Sequence, residues 1–148
     1  MKTEIEAALL IGIPGAGKST FYRQQLIGTH VRINLDTLKR RPRELRAVEA
    51  CIAAGQSFAV DNTNLLAFDR ARYIPLAKAA GYRIVGYWLD CPVEDALKRN
   101  DRRSGNEFVP SHVIRAFHAK VEEPGWNEGF DALYRVSIEG QRFVVKQM

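Results

Sequence analysis

The sequence predicts an α/β fold, a three-layer sandwich in which a mostly parallel sheet carries helices on both faces. Three observations predict it. Strand-like and helix-like segments alternate from one end of the chain to the other. Residues 84–89 are apolar on both faces, as a strand in the middle of a parallel sheet must be. The apolar run over residues 5–11 leads straight into a glycine-rich turn and then a helical segment, which opens a βα unit.

Each further element follows from local signals. Residues 20–27 read as the first helix and residues 31–34 as a short second strand. One helical piece begins near Asp36. A second runs from Pro42, a good first-turn residue, to about Ala54, where Gly55 stops it. Residues 57–61 form a third strand of small apolar residues, and residues 66–80 read as one helix ended by Gly81. After the fourth strand, Pro92 opens a helix over 93–103, a polar loop covers 104–107, and another helix runs over 110–123 until Pro124-Gly125 breaks it. Residues 133–138 and 142–146 are the last strands, a hairpin turned at Glu139-Gly140. The segment around 99–123 is expected to form a small helical lid.

The 148 residues are 46% hydrophobic and 26% charged, enough apolar material for one domain over 1–148 to bury a core without disulfides. No continuous apolar stretch is long enough to span a bilayer, and the acidic start at Glu4 and Glu6 is unlike a signal peptide. Cys51 and Cys91 lack metal-ligand spacing and read as reduced thiols, so a cytoplasmic location without membrane contact is expected. His30, His112 and His118 are too scattered to form a metal set. Trp126 and Phe130 border either the core or a nucleotide base.

The turn after the first strand reads Gly12-Ile-Pro-Gly-Ala-Gly-Lys-Ser19, which matches G-x-x-x-x-G-K-[ST] between a strand and a helix. This is a P-loop, and it makes the fold that of a P-loop NTPase. Gly12, Gly15, Ala16 and Gly17 let the backbone curl so that N–H groups face a phosphate, and the helix start at Ser19 and Thr20 adds positive potential. Lys18 would reach the β- and γ-phosphates of ATP, and Ser19 would place its hydroxyl on Mg²⁺.

Ligands of such sheets bind beyond the carboxyl ends of the strands, where Asp36, Asp61, Asn62 and Asn64 fall. Asp36 is either an N-cap or a general base for an attacking hydroxyl near the γ-phosphate. Asp61 is either a cap or a carboxylate near Mg²⁺. The net charge of +5 is concentrated in two windows. Residues 32–46 hold Arg32, Lys39, Arg40, Arg41, Arg43 and Arg46 against Asp36 and Glu44. Residues 98–103 hold Lys98, Arg99, Arg102 and Arg103 against Asp101. The first window suits an anionic acceptor. Arg99 and Arg103 share a helix face, which either faces solvent or closes over a transferring phosphoryl group.

These landmarks resemble the kinase domain of the polynucleotide 5′-hydroxyl kinases, a family within the wider superfamily of small P-loop and zeta-toxin-like kinases. The resemblance rests on the P-loop through Thr20, Ile33-Asn-Leu-Asp36, Asp61-Asn-Thr-Asn64, Lys98-Arg-Asn-Asp-Arg-Arg103 with Val109-Pro110, and Glu128-Gly-Phe130. It implies that Lys18 holds the ATP phosphates, Ser19 holds Mg²⁺, and Asp36 is the general base. It also implies that Arg103 is the lid arginine, with Arg99 a second one a turn earlier. Lys39, Arg40, Arg41, Arg43, Asp61, Asn62 and Asn64 become candidate acceptor contacts. Two positions depart from the pattern: Leu35 replaces an arginine, and Lys39 replaces another, keeping charge but losing the fork geometry.

The expected activity is therefore ATP-dependent transfer of the γ-phosphate to a hydroxyl. The favoured acceptor is the 5′-OH of a nucleic acid. The alternatives are a small-molecule kinase acting on a sugar, nucleoside or antibiotic, and an ATP-binding module without an acceptor. No phosphatase or ligase domain is visible in these residues, although such a domain could be a separate end-processing partner protein.

Overall fold

The computed structural model describes residues 4–148. Its sheet has six strands: β1 (Glu6–Ile11), β2 (Val31–Ile33), β3 (Phe58–Asp61), β4 (Arg83–Leu89), β5 (Ala132–Glu139) and β6 (Arg142–Gln147), in the spatial order β2-β3-β1-β4-β5-β6. The first five are parallel and β6 is antiparallel to β5, the two joined through Gly140 at φ 64°. The helices are α1 (Lys18–Gln25), α2 (Leu35–Leu38), α3 (Arg41–Ala54), α4 (Ala67–Arg70), α5 (Ile74–Ala79), α6 (Val93–Asn100) and α7 (Ser111–Lys120).

Alternation along β1 builds both halves of the core. Ala7, Leu9 and Ile11 face Val48 and Cys51 of α3 and Ile74 and Ala77 of α5. Ala8 and Leu10 face Phe21 and Tyr22 of α1, Ala96 of α6 and Ile114 of α7. A strand covered on both sides must be apolar throughout, which is why β1, β3 and β4 read as near-continuous hydrophobic runs. Gly86 of β4 leaves room for a neighbour: a Cβ there would lie 2.6 Å from Leu133 and 2.7 Å from Phe130.

Three local expectations are corrected. Residues 66–80 form two short helices rather than one. Pro75 lies in the first turn of α5, where its missing N–H costs nothing, but within a continuous helix its ring would clash with the preceding turn. The helix expected to run to residue 123 ends at Lys120, and the one expected over 93–103 ends at Asn100. Trp126 is about half exposed, whereas Phe130 is buried in the core. No helix among the described residues is long and apolar enough to cross a membrane. Cys51 is buried and Cys91 half-buried, and both are free thiols.

Candidate active site

The P-loop curls between β1 and α1. Gly15 has φ +87°, and a Cβ on it would lie 2.5 Å from the Ala96 carbonyl oxygen, so only glycine lets the loop lie against α6. Gly17 precedes α1 at φ +99°. The loop is pinned by Gly12 N–H donating to the Thr63 carbonyl (2.9 Å) and Ala16 N–H to the Ile13 carbonyl (3.1 Å). The N–H groups of Lys18, Ser19 and Thr20 open α1 and have no intrahelical acceptor, the arrangement that binds phosphate.

Lys18 Nζ donates to the carbonyls of Gly12 (2.8 Å) and Ile13 (3.0 Å). Burial pulls its ammonium down from 10.5 to about 8. Asp61 acts against that, whereas Arg103 adds to it, and Cys91 and Asp36 are also close enough to be felt. Lys18, Asp61, Arg103 and Asp36 therefore belong to one electrostatic neighbourhood, drawn from the ends of β1, β3, α6 and β2.

Ser19 Oγ donates to Asp61 Oδ2 (3.0 Å), and the Asp61 carboxylate is buried. A hydroxyl and a carboxylate in contact are hard oxygen donors of the kind Mg²⁺ prefers, so these residues fit the cation that the P-loop implies. Arg32, known from the sequence only as part of a charged window, sits on the same pair. Its Nε donates to Asp61 Oδ2 (2.7 Å) and its Nη2 to Ser19 Oγ (3.0 Å).

Asp36 is not the cap of its helix. Asn34 is, its Oδ1 accepting from Thr37 N–H (3.0 Å). The carboxylate of Asp36 is exposed in the first turn of α2, with no hydrogen-bond partner among the described residues. What holds α2 is Asn62. Its Oδ1 accepts from Leu35 N–H (2.8 Å), and its Nδ2 donates to Glu44 Oε2 (2.7 Å) and to Tyr73 Oη (3.2 Å). Glu44 Oε1 also accepts from Tyr73 Oη (2.6 Å) and Arg41 Nη1 (3.0 Å). Burial, reinforced by Glu44, pushes the Tyr73 phenol up to about 12. This buried hub orients the backbone that carries Asp36.

The other expected residues divide. Arg99 Nη1 donates to the Gly15 carbonyl (3.1 Å) and so lies on the P-loop. Arg103 is half-buried and lies beyond the end of α6 at Asn100, so it does not share a helix face with Arg99 as expected; it donates to the Glu107 carbonyl (3.4 Å). Asn100 closes the loop between α6 and α7 by exchanging two bonds with the Val109 backbone, at 2.6 and 2.9 Å. Asn64 is buried, its amide donating to the Leu10 carbonyl (2.8 Å), a strut between β3 and β1. Thr20 is exposed and accepts from Arg23 (3.3 Å). Arg41 is held by Glu44 and Tyr73, while Lys39, Arg40 and Arg43 are exposed. Lys39 ends α2 at φ 75°, a positive angle unusual for a lysine.

Sequence reasoning missed Arg32, Glu44, Tyr73 and Arg70. For Glu44 a signal existed: it precedes Val48 and Cys51 by four and seven residues, on the apolar stripe of α3. Arg70 gave no such signal. It is fully buried and paired through two bonds to Glu128 (2.7 and 2.9 Å), and it also donates to the carbonyls of Asn64 (2.9 Å) and Glu122 (3.2 Å). It ties the end of β3 to the segment after α7.

Between the carboxyl ends of β1 and β4 lies a cavity of about 210 Å³, lined by Gly12, Ile13, Trp88, Asp90, Cys91, His118 and Glu123 among others. The connections from β1 and β4 leave in opposite directions here, which makes this the topological switch point where ligands of open α/β sheets bind.

A parallel sheet in this order, a glycine loop on a helix start and a serine–aspartate pair beside it define a P-loop nucleotide-binding protein of the kinase type. The model of the AAA domain family matches residues 43–124, more than half of the chain, and the chain belongs to that family. The chain has the fold and loop of an ATP-binding, kinase-like P-loop protein and is similar in sequence to polynucleotide phosphatase/kinases. A putative bifunctional polynucleotide phosphatase/kinase of Acanthamoeba polyphaga mimivirus is 30% identical over 140 residues, covering 90% of this chain and 33% of that protein. The chain thus spans about a third of the length of the curated relatives it matches. Among solved structures, Chaetomium thermophilum Kti12 in complex with ADP-AlF3 superposes with a TM-score of 0.65, at 20% identity over 88% of both chains. A Janibacter sugar kinase superposes with a TM-score of 0.69, at 17% identity over 90% of this chain and 85% of that one.

Proposed function

We propose that the protein is an ATP-dependent kinase that transfers the γ-phosphoryl group to the hydroxyl of a compact acceptor. The observation that carries this reading is the free carboxylate of Asp36, held by the Asn62 hub in the same neighbourhood as Lys18 and Asp61. A nucleotide-binding module without an acceptor has no use for a base positioned there.

In this reading the P-loop N–H groups and the Lys18 ammonium bind the β- and γ-phosphates. Ser19 and Asp61 hold Mg²⁺, whose chemistry when bound is to neutralise charge on the phosphate oxygens. Asp36 orients the acceptor hydroxyl and takes its proton as the oxygen attacks phosphorus. Arg99, docked on Gly15, and Arg103, beside Lys18, face charge as it develops on the transferring group. No covalent intermediate on the protein is needed, because positioning and charge neutralisation suffice.

The sugar kinase that shares this fold supports a compact acceptor. A second reading, the 5′-hydroxyl of a polynucleotide, is favoured by the relatives that are polynucleotide phosphatase/kinases and by the exposed Lys39, Arg40 and Arg43.

Incubation with γ-labelled ATP and a panel of sugars, nucleosides and 5′-OH DNA and RNA oligonucleotides tests both. Label on a sugar or nucleoside alone supports the compact acceptor, and label on oligonucleotides alone replaces it with the second reading. ATP hydrolysis with no labelled acceptor in the panel counts against both.

A further inference from the structure

We propose that Arg32 is a built-in cation that competes with the divalent metal ion for Ser19 and Asp61, so that metal loading requires its guanidinium to swing away. The inference rests on the reading of Ser19 and Asp61 as the metal-holding pair, and the experiment below separates the two.

The three groups form a closed triangle. Arg32 Nε donates to Asp61 Oδ2 at 2.7 Å, Arg32 Nη2 donates to Ser19 Oγ at 3.0 Å, and Ser19 Oγ donates to the same Asp61 Oδ2 at 3.0 Å. The serine oxygen has one proton and two lone pairs. The proton goes to Asp61 and one lone pair to Arg32, and Arg32 also donates to the Asp61 oxygen that accepts from Ser19, so the guanidinium sits on both oxygens the metal ion would need. Two positive charges within about 3 Å of one oxygen repel strongly where solvent is scarce. Metal and guanidinium therefore exclude one another at this pair.

Burial explains why an arginine is placed there. The Asp61 side chain is only 2% exposed, and a carboxylate that deep needs a counter-charge. The Arg32 side chain is 35% exposed and projects from β2, the edge strand, so it has solvent to move into while Asp61 does not. Arg32 also lies four residues before Asp36, on the segment that leads into α2.

The test measures metal binding and needs no acceptor. The full chain is titrated with Mn²⁺ alone, free ion being followed by electron paramagnetic resonance, for wild type, Arg32→Met and Arg32→Lys. Arg32→Met keeps an unbranched side chain without charge and should bind Mn²⁺ about tenfold or more tightly, whereas Arg32→Lys should stay near wild type. Thermal melting adds a second readout. Arg32→Met should melt below wild type in EDTA and gain more from Mn²⁺, and a variant that folds only with Mn²⁺ present supports the proposal equally. Unchanged or weaker Mn²⁺ binding by Arg32→Met overturns it. In the wild-type background, Ser19→Ala and Asp61→Asn should each weaken Mn²⁺ binding. If neither does, the metal-site reading itself fails, whatever Arg32 does.

Discussion

Replacing Asn62 with alanine tests whether the buried hub holds α2 in place. The substitution removes three hydrogen bonds: from Leu35 N–H at 2.8 Å, to Glu44 Oε2 at 2.7 Å and to Tyr73 Oη at 3.2 Å. Glu44 keeps Tyr73 and Arg41 as donors, so the carboxylate is not orphaned. The Leu35 N–H and one Glu44 lone pair do lose their partners. At about 1–3 kcal/mol for each buried group left unsatisfied, with water reaching the part-exposed Leu35, the loss should be about 2–4 kcal/mol. For a chain of this length that is a fall in Tm of roughly 10 °C. Urea unfolding gives the free energy directly, with an unchanged m-value showing that the native state stays compact. Nucleotide affinity should stay within about twofold, because the hydrogen bonds of the Asn62 side chain go to Leu35, Glu44 and Tyr73 rather than to the P-loop, whereas phosphoryl transfer should fall about tenfold or more as Asp36 loses its fixed position. A loss of stability below about 0.5 kcal/mol would refute the hub, since a surface substitution does as much. Equal losses in transfer and nucleotide binding would refute the claim that the hub acts through α2.

Two further perturbations follow from buried charge. Glu128→Gln leaves the fully buried Arg70 guanidinium without its counter-charge and should cost about 3–5 kcal/mol, while Arg70→Met combined with Glu128→Leu should recover most of that in denaturant unfolding. The Lys18 ammonium, held down to about 8 by burial, is partly neutral in the free protein just above that pH. ATP phosphates favour the charged form, so nucleotide binding at pH 8.5 should take up protons and should weaken as pH rises further. Calorimetry in two buffers of different ionisation enthalpy measures the uptake, which should vanish near pH 6.5, where Lys18 is already protonated in the free protein. The same shift acts on folding with a definite sign. Between about 8 and 10.5 the unfolded chain binds the Lys18 proton and the native chain does not, so this group's contribution to stability rises with pH across that window.

Much of the fold was legible because its signals are local. Glycine and proline punctuate nearly every element, and a parallel sheet covered on both faces leaves an apolar run that needs no partner to be recognised. The P-loop was legible for the same reason: phosphate binding is built from consecutive backbone N–H groups and one lysine. What escaped depends on long-range pairing. Arg32 and Asp61 are 29 residues apart, Arg70 and Glu128 are 58 apart, and Asn62 and Glu44 are 18 apart. A basic residue in a charged window looks the same whether it faces solvent or a buried carboxylate. The capping of α2 stayed open in the sequence for a subtler reason. Asn34 and Asp36 are both good caps, and only the backbone shows that the helix begins at Leu35, leaving Asp36 free.

Asp36→Asn tests the central claim most directly. The comparison is of γ-phosphoryl transfer by wild type and by this variant across the same acceptor panel, with ATP affinity measured alongside. Loss of a general base should lower transfer about 10²–10⁴-fold while ATP affinity stays within about twofold. Transfer at the wild-type rate by Asp36→Asn, or wild-type ATP turnover that labels no hydroxyl, would contradict it.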